Sequence, residues 1–140
     1  MKIFISGSKE ISKLPREATN KIIEICNKKH DILIGDCYGI DTTVQTLLKQ
    51  LNYKKVTIFT SCEKERVNLG NWKVVNINSD KHGYCAHAEK DKAMIKVCDY
   101  GIAIWNGKSE GTGNNITGLK KKIKKFIFFM LFNKTAPLTD

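Results

Sequence analysis

Short apolar runs alternate along the chain with longer stretches in which apolar residues recur at helical spacing. The runs at 2–5, 31–34, 55–60, 101–105 and 126–132 predict strands, and 73–77 predicts a short strand within the polar stretch 61–83. Helical spacing predicts helices over about 15–29, 40–51 and 86–98, and a last helix that opens at 114–116 and runs into 120–125. Such alternation favours right-handed crossovers and a parallel sheet covered on both faces.

We therefore expect one α/β domain over 1–132, followed by a C-terminal tail at 133–140. Its fold class is a Rossmann-like doubly wound three-layer sandwich with a mostly parallel sheet of about five strands. In such a sheet, ligands bind at the carboxyl ends of the strands, near the point where the strand order reverses. We therefore expect the functional residues at the carboxyl ends of the strands.

Charge and composition narrow the class of protein. The 140 residues carry 24 Lys plus Arg against 14 Asp plus Glu, a net charge of +10 that comes almost wholly from lysine. This balance fits either a solvated lysine-rich surface or attraction to an anionic partner. The longest apolar run is far shorter than the roughly 20 residues of a membrane span, and the start lacks a secretory pattern. A cytoplasmic protein with reduced thiols and no membrane partner is expected.

Three polar, glycine-bearing turns follow predicted strands, at 6–8, 35–41 and 106–112. Glycine lets the backbone approach a ligand closely, and a following helix adds its positive dipole end, so such turns suit phosphate. A tight strand-to-helix turn without a ligand is the alternative reading of each one. The predicted ligand-binding residues are Ser6, Gly7, Ser8, Gly35, Asp36, Gly39, Asp41, Gly107, Lys108, Ser109, Gly111 and Thr112.

The standard cofactor patterns do not follow the first strand. Neither the dinucleotide Gly-x-Gly-x-x-Gly nor the P-loop Gly-x-x-x-x-Gly-Lys-Ser/Thr is found there. NAD and ATP-hydrolase functions are thereby disfavoured, and no cofactor or metal site is predicted.

Four segments resemble the SLOG superfamily: 5–8, the Gly35-Asp36-x-x-Gly39-Ile40-Asp41 turn, Lys90-Asp91-x-x-Met94, and the block 99–116. That superfamily joins the cytokinin-activating nucleotide phosphoribohydrolases, often labelled lysine decarboxylases, with the DNA-processing protein DprA. The resemblance implies a Rossmann-like fold whose glycine-rich loops hold a nucleotide or its derivative. It also implies a homodimer, because members of this shape commonly pair.

The chain departs from the phosphoribohydrolases at their catalytic positions. Those enzymes carry Pro-Gly-Gly-x-Gly-Thr-x-x-Glu after a helix with a catalytic Arg, whereas this chain has Lys90 near the Arg position and Asn115 at the Glu position. A neutral amide binds a ligand but does not act as a base. Lys90 and Asn115 therefore join the predicted binding residues, and a sensor or binding protein for a small nucleotide-type ligand is the first interpretation. Phosphate would lie against 6–8 and 108–112, with Asp36 and Asp41 near sugar hydroxyls.

Two other functions stay open. An N-glycosidase acting on nucleoside monophosphates, phosphoribohydrolase-like or deoxyribosyltransferase-like, would need another carboxylate, with Asp91, Glu110 and Asp41 as the catalytic candidates. Each of these could instead cap a helix or pair with a lysine. The Gly-Ile-Asp at 39–41 and the positive charge suit a DprA-like single-stranded nucleic-acid binder, although the chain has only two arginines, Arg16 and Arg66.

Overall fold

A computed structural model describes residues 1–77, 84–122 and 124–130, with the side chains of 84–87 left out. The predicted tail at 133–140 lies outside the described residues. The strands are β1 (Lys2–Gly7), β2 (Asp31–Gly35), β3 (Val56–Thr60), β4 (Lys73–Asn76), β5 (Tyr100–Trp105) and β6 (Lys125–Met130). The helices are α1 (Arg16–Asn27), α2 (Ile40–Gln50), α3 (Tyr84–Val97) and α4 (Glu110–Lys121).

The six strands of the described residues join one parallel sheet in the order β4-β3-β2-β1-β5-β6. The predicted fold class is confirmed, and the sheet has six strands rather than about five. The sixth is the short edge strand β4, which the sequence predicts at 73–77 and whose two half-buried valines lie between exposed end residues. The strand order reverses between β1 and β5, which is the point where a doubly wound sheet opens a crevice.

The two faces of the sheet carry different helices. One core joins Ile3, Ile5 and Ile34 of the sheet to the buried sides of α1 and α2. The other joins Phe4, Leu33 and Phe59 to α3 and α4. Because successive side chains of a strand point to opposite faces, the apolar run of each central strand supplies both cores. Within the described residues, no helix has the length and apolar character needed to cross a membrane.

Helix α4 begins earlier than the sequence predicts. Its first residue is Glu110, with Ser109 as the N-cap, whereas the pattern placed the helix start near Asn114. The glycines at 111 and 113 mask the start because glycine has a poor helix propensity. The helix end also differs: α4 stops at Lys121, Lys122 and Lys124 lie between α4 and β6, and Lys125 is the first residue of β6.

Glycine at position 7 allows α2 to approach the end of β1. A Cβ added to Gly7 would lie 2.3 Å from Ile40 Cγ2, and Ile40 is the fully buried first residue of α2. The Gly35–Asp41 turn is therefore held against the end of β1 by direct packing.

We expect Gly7→Ala to lower the free energy of unfolding by about 2 kcal/mol, because overpacking displaces the start of α2. Gly111→Ala is the matched control, since its Cβ would meet nothing within 4 Å and alanine favours the helix. Urea unfolding measures both. Equal stability of Gly7→Ala and the parent would contradict the close packing at Ile40.

Candidate functional site

The three predicted turns follow β2, β1 and β5, which are neighbours in the sheet. All three turns lie at the edge formed by the carboxyl ends of the strands, here called the carboxyl edge. The reversal point between β1 and β5 falls among them. The structure thus brings together the three turns that the sequence singled out.

A row of small, buried residues lies at the carboxyl edge, on the face covered by α3 and α4. Ser6 pairs in register with Ala103, and the next register position on the other side of Ser6 is Gly35. Opposite this row, α4 runs back along β5, and Leu119 lies against the Cα of Gly101. Because α4 runs antiparallel to β5, its earlier buried residues Thr112 and Asn115 lie further toward the carboxyl edge.

A buried charged cluster fills the neighbouring space. A Cβ added to Gly35 would lie 2.7 Å from Asp41 Oδ2 and 3.2 Å from Lys90 Nζ, so only glycine fits beside both. The ammonium of Lys90 lies 3.2 Å from Asp91 Oδ1, and the Asn115 amide donates to Asp91 Oδ2 at 3.2 Å. Four predicted site residues from α2, α3 and α4 are therefore in one cluster, which we call the Lys90 cluster: Asp41, Lys90, Asp91 and Asn115.

Burial and charge set the protonation of this cluster. Burial raises the pKa of the Asp41 carboxyl to about 7, against the opposing effect of the Lys90 charge. Burial alone would lower the pKa of Lys90, but the carboxylates of Asp91 and Asp41 outweigh it and raise that pKa. Lys90 therefore stays charged at neutral pH. The Asp41 carboxyl, in contrast, gains or loses its proton at a pH close to neutral. A carboxyl of this kind can hold or release a proton under physiological conditions.

A hydroxyl pair links the turns that follow β1 and β5. Ser8 Oγ and Ser109 Oγ are 2.7 Å apart, and the Asn106 backbone N–H donates to Ser8 Oγ at 3.3 Å. The Asn106 side-chain oxygen accepts from the N–H groups of Lys108 and Ser109, at 2.8 and 2.9 Å. Ser8 is buried, and its hydrogen bonds to Ser109 and Asn106 join the two turns. The first turn of α4 follows, and there the N-cap residue Ser109 makes no side-chain cap bond.

Two buried hydroxyls have no hydrogen-bond partner among the described atoms: Ser6 Oγ and Ser61 Oγ. Ser6 lies on β1 between Gly35 and Ala103, beside the Lys90 cluster. A buried hydroxyl without a partner costs free energy, so such groups commonly mark a place where a ligand or water donates or accepts.

Gly107 and Gly39 have positive φ values of 80° and 76°, which suit glycine at these turns.

Asp36 has a different environment from Asp41. Its carboxylate is fully buried, accepts from Thr60 Oγ1 at 2.7 Å and forms an ion pair with Arg66 at 3.0 Å. Burial alone would raise the pKa of Asp36, but the hydrogen bonds from Arg66 and Thr60 outweigh it and lower that pKa. The predicted contact of Asp36 with a sugar stays a prediction; in this structure both its oxygens already accept hydrogen bonds.

Arg66 is the residue of this edge that the sequence reasoning missed. It lies in the polar stretch after β3, thirty positions from Asp36, and no regular spacing links them. A signal was available: an aspartate directly after a buried strand needs a cation, and the chain has only two arginines. Glu110, the remaining catalytic candidate, is exposed at the start of α4.

An open groove of about 380 Å³ lies away from these residues, between α1 and α2. Its lining is mostly hydroxyl-bearing and includes Thr19, Thr42, Thr43 and Thr46. It contains none of the predicted site residues. The buried carboxyl and ammonium groups with perturbed pKa values, Asp36, Asp41 and Lys90, lie at the carboxyl edge, so we place the candidate site there and not in the groove.

The fold and this edge define a Rossmann-like α/β domain with a polar site at the reversal of strand order. No protein-family model matches the chain, and comparison with curated proteins finds no match. The chain is similar to DNA processing protein A from Helicobacter pylori, whose structure was studied for its single-stranded DNA binding mode. The TM-score is 0.68 and the identity 15%, covering 91% of this chain and 64% of that one. The chain thus spans less than two thirds of that structure, and the likeness shows a shared fold.

Arg66→Ala removes the cation that faces the buried Asp36. We expect a loss of about 3 kcal/mol in the free energy of unfolding at pH 7, because the carboxylate keeps its burial without its partner. The pKa of Asp36 is lowered in the fold, so the stabilisation by the pair is present at neutral pH. It is lost as the pH falls through that lowered pKa, and the penalty shrinks toward pH 3.

Urea unfolding at pH 7 and pH 3 measures this difference. Arg16→Ala, at the exposed start of α1, is the matched control and should change stability little at either pH. A loss for Arg66→Ala that is the same at both pH values would show that the ion pair is not its cause.

Asp41→Asn removes the titrating carboxyl and keeps an oxygen for the Cys37 N–H, which donates to Asp41 at 3.1 Å. The pKa of Asp41 is about 7 in the fold and about 3.9 in an unfolded chain. The stability that protonated Asp41 contributes is full below about pH 4 and is lost as the pH rises through about 7. The variant has no such loss, so its stability relative to the parent rises over this range, by at most about 4 kcal/mol.

A series of urea unfolding curves from pH 4 to pH 8 tests this expectation. Asp31→Asn, an exposed carboxyl at the start of β2, serves as the control and should follow the parent. If the free energy of unfolding changes with pH in the same way for Asp41→Asn and the parent, the pKa of Asp41 is not raised.

Proposed function

We propose that the chain binds a phosphorylated nucleotide at the carboxyl edge. The phosphate lies at the first turn of α4, where the amides after Ser109 have no side-chain cap. A helix start of this kind offers both free N–H donors and the positive end of the dipole. The sugar lies between the first turn of α4 and the Lys90 cluster, within reach of Ser6 on β1.

One observation carries this proposal: the buried hydroxyl of Ser6, without a partner, beside a buried lysine and two carboxylates at the reversal of strand order. Carboxylate oxygens accept from sugar hydroxyls, and Asp91 retains some exposure, with 22% of its side chain accessible. Lys90 is nearly enclosed, so its charge acts on the ligand through the field it creates and through Asp91. The polar groups converge on one place, as ligand sites require.

A second candidate function is single-stranded nucleic-acid binding. The similar fold of DNA processing protein A, a protein studied for its single-stranded DNA binding mode, favours it, and the net charge of +10 agrees with it. In this case the same edge would hold one nucleotide unit of a longer strand. The predictions for the two candidates differ: a strand should bind far more tightly than a single nucleoside monophosphate, and its affinity should fall steeply with salt.

Ser6→Ala provides the sharpest test of the nucleotide site. We expect affinity for nucleoside 5′-monophosphates to fall about tenfold, since one hydrogen bond to the ligand is lost. The thermal midpoint of the free protein should stay the same or rise, because an unpartnered buried hydroxyl has been removed. Calorimetric titration with each of the common monophosphates measures the affinity.

Ser61→Ala is the matched control, because it removes the other unpartnered buried hydroxyl, after β3 and away from α4. Equal affinity of Ser6→Ala and the parent would contradict the proposed site. Chromatography of the same samples follows free base: release that is abolished by Asp41→Asn or Asp91→Asn would support the N-glycosidase. Binding of a 20-nucleotide strand without binding of any monophosphate would support the second candidate instead.

A further inference from the structure

The positive charge of the chain is concentrated at the edge opposite the candidate site. All strands begin and all helices end at this edge, which we call the amino edge. The lysines within a few residues of these starts and ends are Lys2, Lys28, Lys29, Lys49, Lys54, Lys55, Lys73, Lys96, Lys120, Lys121, Lys122, Lys124 and Lys125. Each of them is exposed except Lys124, which is half-buried.

Few acidic residues balance this edge. Glu24, Asp31 and Asp99 lie there among the described residues, and Glu24 is paired with Lys28 at 2.9 Å. Asp99 accepts from the backbone N–H of Lys2 at 2.8 Å. The carboxyl edge is different, since its described charges nearly cancel. Its cations are Lys9, Lys13, Arg16, Lys64, Arg66, Lys90 and Lys108, and its anions are Glu10, Glu17, Asp36, Asp41, Glu63, Glu65, Asp91 and Glu110.

Helix dipoles account for only part of the lysine excess. A cation in the last turn of a helix is favourable, as for Lys49 in α2 and Lys96 in α3. The lysines at strand starts, such as Lys54, Lys73 and Lys125, gain nothing of this kind because the dipole effect fades within one turn. A row of like charges at one edge is repulsive, so this arrangement is best stabilised by an anionic partner.

We propose that the amino edge binds the sugar-phosphate backbone of nucleic acid, without reading its sequence. Six strands spaced about 4.8 Å apart make this edge roughly 25 Å wide, and lysines occur along its whole width from β4 to β6. Lysine contacts phosphate as a point charge, whereas base reading relies mostly on arginine and amide side chains. The edge therefore suits a linear polyanion. This proposal does not depend on whether a nucleotide binds at the carboxyl edge.

The apolar residues of this edge favour nucleic acid over a lipid surface. Met1, Leu51 and Val97 are the exposed large apolar side chains there among the described residues, at the ends of three different elements. They do not share one helix face, whereas a membrane-surface helix presents a continuous apolar side. Charge alone, arranged along an edge, matches a phosphate backbone best.

Two triple variants with the same net charge test the proposal. Lys54→Glu/Lys73→Glu/Lys125→Glu changes three exposed strand-start lysines of the amino edge. Lys13→Glu/Arg16→Glu/Lys64→Glu changes three exposed cations elsewhere. Fluorescence anisotropy measures binding of 30-residue single-stranded DNA, duplex DNA and RNA at several salt concentrations. Circular dichroism checks the fold of both variants.

We expect the amino-edge variant to bind at least tenfold more weakly in about 0.1 M salt. Its salt slope should fall by two to three units, since about 0.9 of a unit is lost with each phosphate contact. The control variant should lose less than threefold. An equal loss in both variants would overturn the proposal, as would absence of nucleic-acid binding by the parent at low salt. Tighter binding to phosphatidylserine vesicles than to any nucleic acid would also overturn it.

Lysine labelling of the parent protein keeps the test valid if a variant does not fold. Acetylation by a soluble reagent, with and without bound DNA, is read by mass spectrometry. Protection at the amino edge, with Lys13 and Lys64 unchanged, supports the proposal. Protection confined to the carboxyl edge contradicts it. Neither result depends on whether Ser6→Ala weakens mononucleotide binding, so the two proposals fail separately.

Discussion

Because all six strands are parallel, every connection must run from the carboxyl end of one strand back to the amino end of the next. Each helix therefore starts at the carboxyl edge and ends at the amino edge. The first edge collects helix starts, glycine-bearing turns and the polar residues after each strand. The second collects helix ends and strand starts, where lysine is favourable or at least tolerated. The candidate site at the carboxyl edge and the lysines at the amino edge are both consequences of this one arrangement. The length of a strand, about 20 Å, separates them.

Buried charge is the second constraint on the molecule. The cluster around Lys90 and the Asp36–Arg66 ion pair take charged groups out of water, which is stabilising only where partners and hydrogen bonds are present. Both are placed at the ends of central strands, where small residues leave room for them. Lys90 in particular fits because Gly35 has no side chain. A fold selected for stability alone would fill such places with apolar residues, so their polarity agrees with a ligand-binding role.

The sequence predicts much of the fold because the strands are short apolar runs and the helices amphipathic. It also predicts the edge strand β4, although only the two valines of that strand are partly buried. Polar, glycine-bearing turns are also predicted after β1, β2 and β5; parallel pairing puts them at the same end of the strands, and the strand order makes them neighbours. The side-chain partners are harder to predict: Ser8 bridges to Ser109, and Asp36 pairs with Arg66, over sequence separations that no local pattern records.

Amide NMR spectra of the protein, recorded while nucleoside 5′-monophosphates are added, show which residues contact the nucleotide. We expect shifts at 6–8, 35–41 and 107–115, around the carboxyl edge, with the amides at the starts of β3 and β6 unchanged. Shifts confined to the amino edge, or none at millimolar ligand, would contradict the nucleotide site proposed at the carboxyl edge.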